Sequence, residues 1–345
     1  MQYELRTQVI EPQRKTFTHL VKRYGDRPAS RYEEGTIDVQ AKENFHYRPL
    51  WDPQHELYDE TLSAFRLTDP YSFTDPRQYY YAPYVSSRAA MAEAMAATLD
   101  YLDSRDLLSR LPEGWATLVG ELLVPLRHYE SGAQMVCSDV TRFGFGTTIT
   151  QCAGYAAFDR IGNAQSLSRL GIALGGGTAE LLTQAKTRWV EDAPLQGLRR
   201  FVEELFLEKD WGRALVRLDV TDRLVYALFH GHLDDAAIES GAGAYSLVAQ
   251  HFATWFKDQR KWLDGLYKAW AADPSTGSAN AALLASTTTE ALEEALRAVR
   301  PVALRVDELV ASGAVAALEA TADGIREAVR AAGPDTAAAP AAPTA

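Results

Sequence analysis

From Ser86 to about Ala332 apolar residues recur at helical intervals of three and four, whereas no such period organises the first 84 positions. Ser86 or Ser87 can cap a helix whose inner face carries Met91, Met95, Leu99 and Leu102. Leu198, Phe201, Val202 and Leu205 keep the same spacing, as do Val248, Phe252, Trp255, Leu263, Leu266 and Trp270. Leu292, Leu296 and Val299 form a stripe ahead of Pro301, and another follows at Val315, Leu318, Ala322, Ile325 and Val329. Alternating patterns are scarce; Leu215 to Val220 is the best strand candidate, and helix competes there. The pattern predicts an all-α body of roughly eight or more helices. Two segments, Glu121 to Val140 and Thr147 to Leu174, are apolar or small on more than one face and are expected as the central pair of a bundle.

Three regions follow from this: an irregular arm over 1–84, a helical domain over 85–332, and an Ala/Pro tail over 333–345 that has no means of packing a core. The arm holds eleven Phe, Tyr and Trp residues between Phe45 and Tyr84, interrupted by prolines at 49, 53, 70, 76 and 83. Proline removes an amide donor and holds its predecessor extended, so neither a helix nor a central strand is expected. So many rings are foreign to a disordered linker and call for a folded surface to bury them. That surface is either the chain's own body or another subunit.

Composition narrows the function. A net charge of −11 without a local Lys/Arg cluster argues against nucleic acid as a partner. The opening residues Met1 to Arg6 do not resemble a signal peptide, and no apolar run approaches the roughly 20 residues that span a bilayer. Cys137 and Cys152 are too few for a disulfide framework, which fits a reduced cytoplasm.

Candidate chemistry is thin. Di-iron bundles need a Glu from each of two helices and a Glu-x-x-His from each of two more. The one such motif considered, Glu43 with His46, lies in the arm, three residues before Pro49. The expected central helices offer Gln151 and Asp159 on one and Glu121, His128 and Glu130 on the other; no second pair completes a site, and Pro125 is expected to disturb the helix between Glu121 and His128. His128 is expected as a hydrogen-bonded core histidine. His230-Gly-His232 with Asp234-Asp235 has the composition of a metal cluster, but reads better as a helix end followed by a new cap. Gly171 to Thr178 has the glycines of a phosphate loop without its lysine, so Thr178 is expected to cap the next helix.

Arg48-Pro-Leu-Trp-Asp-Pro-Gln-His55, with Tyr24-Gly-Asp-Arg-Pro-Ala-Ser-Arg-Tyr32 before it and Thr74-Asp-Pro-Arg-Gln-Tyr-Tyr-Tyr81 after it, resembles a known family. The chain is similar to the β subunit of the hydroxylase component of soluble di-iron multicomponent monooxygenases, in the phenol hydroxylase, toluene and alkene monooxygenase group. Leu107 to Pro112, Val124 to His128, Asp159 to Gly162, Gly175 to Thr178 and Gln196 to Arg200 carry further likeness, and the whole spans about residues 15 to 330.

That resemblance implies a ferritin-like bundle related to a catalytic α subunit but lacking its iron ligands. It implies an α2β2γ2 hydroxylase in which α activates O2 at di-iron. An NADH-dependent flavin and iron–sulfur reductase supplies electrons, and a small coupling protein docks. It assigns no catalytic, cofactor-binding or metal residue to this chain. Aromatic and arginine side chains anchor interfaces, so Tyr47, Arg48, Trp51, Arg77, Tyr79, Tyr80, Tyr81 and Tyr84 are the expected contacts with the partner. Alternatives are an arm folded on its own body, a free-standing helical metalloenzyme, or a small-molecule-binding bundle. For a magnesium-dependent enzyme, Asp234-Asp235 is the one motivation, and Ile238 stands where a third acid is needed.

Overall fold

A computed structural model describes residues 17–39, 53–55 and 59–332. The described residues contain helices and turns and no strand. Two short helices come first, α1 (Thr18–Tyr24) and α2 (Arg31–Thr36). A capping box explains where α2 begins: the Glu33 N–H donates to Ser30 Oγ at 3.2 Å, and the Ser30 N–H donates to the Glu33 carboxylate at 2.7 Å.

Residues 59–80 run as a strap over the helical body, broken by single 3-10 turns at Glu60–Leu62 and Pro70–Ser72, which Asp59 and Asp69 cap. The strap is tied down at intervals. Ser63 Oγ and the Ala64 N–H both donate to Asp210 at 2.6 Å. Asn280 pairs with both backbone groups of Arg66, accepting from its N–H at 3.0 Å and donating to its carbonyl at 2.6 Å. The Thr68 N–H donates to Asp273 at 2.6 Å. Between these ties Phe65 stacks on Trp270 with ring centroids 4.1 Å apart. Two glycines let the strap lie close: Gly146 has φ +119°, and a Cβ there would sit 2.5 Å from the Pro70 carbonyl oxygen, while a Cβ on Gly265 would sit 2.7 Å from Pro76 Cγ.

The long helices begin earlier than Ser86. Helix α3 spans Tyr81–Ser104, with Pro83 in its first turn. The first four amides of a helix have no intrahelical partner, so the missing N–H of Pro83 is lost at no cost. Next, α4 (Glu113–Leu118) passes through a π-turn at Val119–Leu123 into α5 (Leu126–Phe143), and Pro125 stands at the N-cap of α5. Pro125 thus starts a helix rather than disturbing one. Helices α6 (Thr147–Leu174), α7 (Glu180–Glu191) and α8 (Ala193–Glu204) follow.

Helix α9 (Trp211–Ala227) takes in the strand candidate Leu215 to Val220, and it is buried on nearly every side. It continues as a π-turn at Leu228–His232 into α10 (Leu233–Glu239). His230 and His232 therefore lie inside a continuous helical path and not at the helix end expected of them. Last come α11 (Gly243–Ala271), α12 (Gly277–Val310) and α13 (Ala314–Ala332). Helix α12 continues past Pro301, because Val299 on one side and Val302, Ala303 and Val306 on the other are all buried. Packing against α8, α9 and α13 outweighs the local penalty of an interior proline.

Helices α5 and α6 form the most extensive pairing among the described elements. They are not enclosed on all sides, since Met135, Phe158 and Ile161 are exposed on their outer faces. Helices α9 and α11 complete the bundle around the inner faces of that pair.

Candidate functional site

The centre of the bundle is polar. Arg160 of α6 has 0% of its surface exposed. Its guanidinium donates from Nη1 to Glu130 of α5 at 3.1 Å, and from Nη2 to Asp222 of α9 at short range. The Trp255 ring of α11 covers it at 4.8 Å from the ring centroid. Tyr226 and Tyr129 donate to Glu130 and Asp222 respectively, each at 2.7 Å, and the Asn163 amide donates to the Tyr226 hydroxyl at 3.1 Å. Three helices thus gather two carboxylates, two phenols and an amide around one guanidinium, which bonds the carboxylates directly and whose Nε has no hydrogen-bond partner.

The electrostatics follow from burial. Removal from water works against the Arg160 cation, but Asp222 and Glu130 outweigh it and hold its pKa well above the ordinary value. Burial, with Glu130 beside it, raises the Asp222 carboxyl to about 6 although Arg160 opposes the shift. Burial and the neighbouring carboxylates push both phenols far above their usual range, so they stay protonated donors.

A second cluster joins the strap to this centre. Arg88 of α3 grips Asp159 through Nε and Nη2, both at 2.8 Å, and donates to Asp258 of α11 at 2.9 Å. Tyr84 donates to Asp159 at 2.8 Å and the Trp255 indole N–H does so at 3.0 Å. Trp255 therefore bridges the clusters, bonded to Asp159 and lying over Arg160. Arg77 of the strap pairs with Asp75 at 3.0 Å and faces Asp258 at 3.6 Å. Beside this cluster a cleft of about 510 Å³ opens between α3, α6 and α11. Met91, Met95, Phe158 and Phe252 line it, and Asp159 and Asn163 also border it.

The predicted residues fall in several places. Glu43, His46, Tyr47, Arg48 and Trp51 lie outside the described residues. Arg77, its side chain 2% exposed, and Tyr84, stacked on Tyr155 at 4.0 Å, are spent inside this chain. Tyr79 is half-buried beside the Arg77 and Arg88 guanidinium groups, and its hydroxyl meets Ser87 Oγ at 3.0 Å. Tyr80 is half-buried at the N-cap of α3. Tyr81 is 74% exposed and has surface to offer.

Glu121 pairs with Arg188 at 3.2 Å and Arg305 at 2.9 Å. His128 stacks on Trp189 at 6.1 Å, but its buried Nε2 has no hydrogen bond, contrary to expectation. Burial, aided by Arg127 and Lys186, lowers its pKa to about 4. Gln151 is half-buried with its Oε1 unpartnered. Thr178 does not cap α7: its hydroxyl donates back to the Gly175 carbonyl at 3.0 Å, and Ala179 holds the N-cap position. Among the described residues no three His, Cys, Asp or Glu side chains gather as a metal set.

Sequence reasoning missed Arg160, Asn163, Asp222 and Tyr226. Arg160 was visible as a cation inside the small, apolar part of α6, with the helix's other arginine, Arg169, nearer its end. Its i, i+3 relation to Asn163 was a second clue.

Four helices around a buried, carboxylate-bearing centre, with a strap laid across them, define the ferritin-like class of helical hydroxylase components. The chain belongs to the Methane/Phenol/Alkene Hydroxylase family, whose model matches residues 51–274. It is 43% identical to the phenol 2-monooxygenase oxygenase component DmpL of Pseudomonas sp. (strain CF600), over 79% of this chain and 83% of that protein. It is 36% identical to the corresponding component MhpL of Acinetobacter pittii (strain PHEA-2), over 89% and 93%. The methane monooxygenase component A beta chain of Methylosinus trichosporium is more distant, 26% identical over 60% and 55%. Among solved structures, the phenol hydroxylase of Pseudomonas sp. OX1 superposes with a TM-score of 0.85 at 33% identity, covering 95% of this chain and 98% of that one.

Proposed function

We propose that this chain is the non-catalytic β-type subunit of a multicomponent monooxygenase hydroxylase acting on phenols or related small aromatics or alkenes. Its relatives are oxygenase components of multicomponent systems. One observation carries the non-catalytic reading: a fully buried arginine lies between the facing carboxylates of α5 and α9, where a metal centre needs open ligands. A guanidinium has no acceptor and offers a metal nothing. The residues present do not fit a di-iron site, so no step of oxygen chemistry is assigned to them.

In this reading the di-iron belongs to an α-type partner, and the assembly is α2β2γ2 with a small γ chain. Electrons come from NADH through a reductase, a coupling protein docks on the hydroxylase, and the whole works in the cytoplasm. Among the described residues no helix is long and apolar enough to cross a membrane.

Two features support a protein partner. Tyr81 and Val85 on α3 and Phe158 and Ile161 on α6 are exposed apolar groups, Phe158 to 61%. The aromatic arm sequence adds Tyr47, Arg48 and Trp51 as further anchors. Co-expression with an α-type chain tests the reading: deleting residues 1–84 is expected to abolish co-purification, and undiminished pairing would contradict the arm's role.

A further inference from the structure

Arg160 and Asn163 stand three residues apart on α6, the spacing at which a di-iron bundle carries Glu-x-x-His. Both reach the bundle centre, with a guanidinium in place of the carboxylate and an amide in place of the imidazole. Glu130 and Asp222 approach from α5 and α9. We infer that Arg160 is a built-in cation plugging a residual ligand cage, and that truncating it opens an oxygen-rich site for a hard divalent ion between Glu130 and Asp222.

Three observations carry this. Two carboxylates buried together cannot stay charged without a positive group between them, so once Arg160 is gone the cage must take up either a cation or protons. The groups left after truncation are the two carboxylates, the Tyr129 and Tyr226 hydroxyls and the Asn163 amide. Oxygen-dominated sets suit Mg2+, Ca2+ and Mn2+ rather than softer metals. Asp159 is already answered by Arg88 and does not compete for the site. The 510 Å³ cleft comes within one side chain of the cage, because Asn163 lines the cleft and bonds Glu130.

The inference rests on the reading of this chain as a subunit without irons of its own, and its test separates the two. Full-length Arg160→Ala is purified with and without Mn2+, beside the wild type and the neutral triple variant Arg160→Ala/Glu130→Gln/Asp222→Asn. Bound Mn2+ is counted by electron paramagnetic resonance, and melting temperature is recorded. The expected result is stoichiometric Mn2+ in Arg160→Ala, with a melting temperature that the ion raises toward the wild-type value. Wild type and the triple variant are expected to bind none. An Arg160→Ala chain that takes up no Mn2+, or stays insoluble in its presence, overturns the inference, as does a triple variant that binds as well. Stoichiometric iron in the wild type would instead overturn the subunit reading.

Discussion

A neutral imidazole is sealed in this core. His230 stacks on Phe252 at 4.7 Å and lies 5.0 Å from the Tyr226 ring, and its Nδ1 has no hydrogen-bond partner. Burial lowers its pKa to about 3 from an ordinary value near 6.5. The unfolded chain takes up a proton below pH ~6.5 that the folded chain refuses until pH ~3. The contribution of His230 to stability is therefore intact above pH ~6.5 and lost progressively as pH falls toward 3. Replacing it by phenylalanine, which keeps the stacking, removes this penalty. Chemical denaturation at pH 8 and pH 5 should show His230→Phe gaining about 2 kcal/mol on the wild type between the two conditions. A difference that does not change with pH would contradict the buried neutral state.

At the scale of elements, the strap and α12 make opposite points about local sequence. The strap has no helical or strand pattern, and its place is set by side chains that complete its backbone hydrogen bonds. Asn280 is a buried tie, serving Arg66 twice and the Trp270 carbonyl at 2.9 Å. Asn280→Ala leaves those groups unpaired and should cost about 2–4 kcal/mol, with limited proteolysis moving to residues 59–80. Unchanged cleavage there would mean that the strap is held by its rings alone. Helix α12 carries Pro301 against propensity, so Pro301→Ala should restore a backbone hydrogen bond to Arg297 and raise the melting temperature by the equivalent of about 1 kcal/mol. A lower melting temperature would show that the body is packed around a proline-induced bend.

These elements also show what was legible beforehand. The stripes at Val248 to Trp270 and at Leu198 to Leu205 marked buried faces directly, because a helix in a bundle must put its apolar positions on one side. The start of α3, the passage through Pro301 and the π-turn at His230 were not legible. Each depends on packing or on the orphaned amides of a first turn rather than on period. The centre was half legible. Glu130 and Asp159 were singled out from the sequence, but their partners Arg160 and Arg88, and Asp222 as the second carboxylate on Arg160, come from other helices, and pairing between helices leaves no local pattern.

For the whole molecule, one continuous polar network runs from the strap through Arg77, Asp258, Arg88, Asp159 and Trp255 to Arg160 at the centre. The same α3–α6 side that borders the cleft exposes apolar groups, Tyr81, Val85, Phe158 and Ile161. Phe158→Asp with Ile161→Asp should leave the melting temperature of the isolated chain nearly unchanged, since both side chains are exposed, and should weaken co-purification with an α-type partner. Full retention of the partner by the double variant would move the interface elsewhere.

Metal analysis of the isolated full-length chain, beside the same chain purified with an α-type partner, tests the central claim most directly. Arg160 between Glu130 and Asp222 predicts iron far below stoichiometry in the isolated chain, with stoichiometric iron appearing only when the partner is present. Two iron ions per isolated chain would contradict the account.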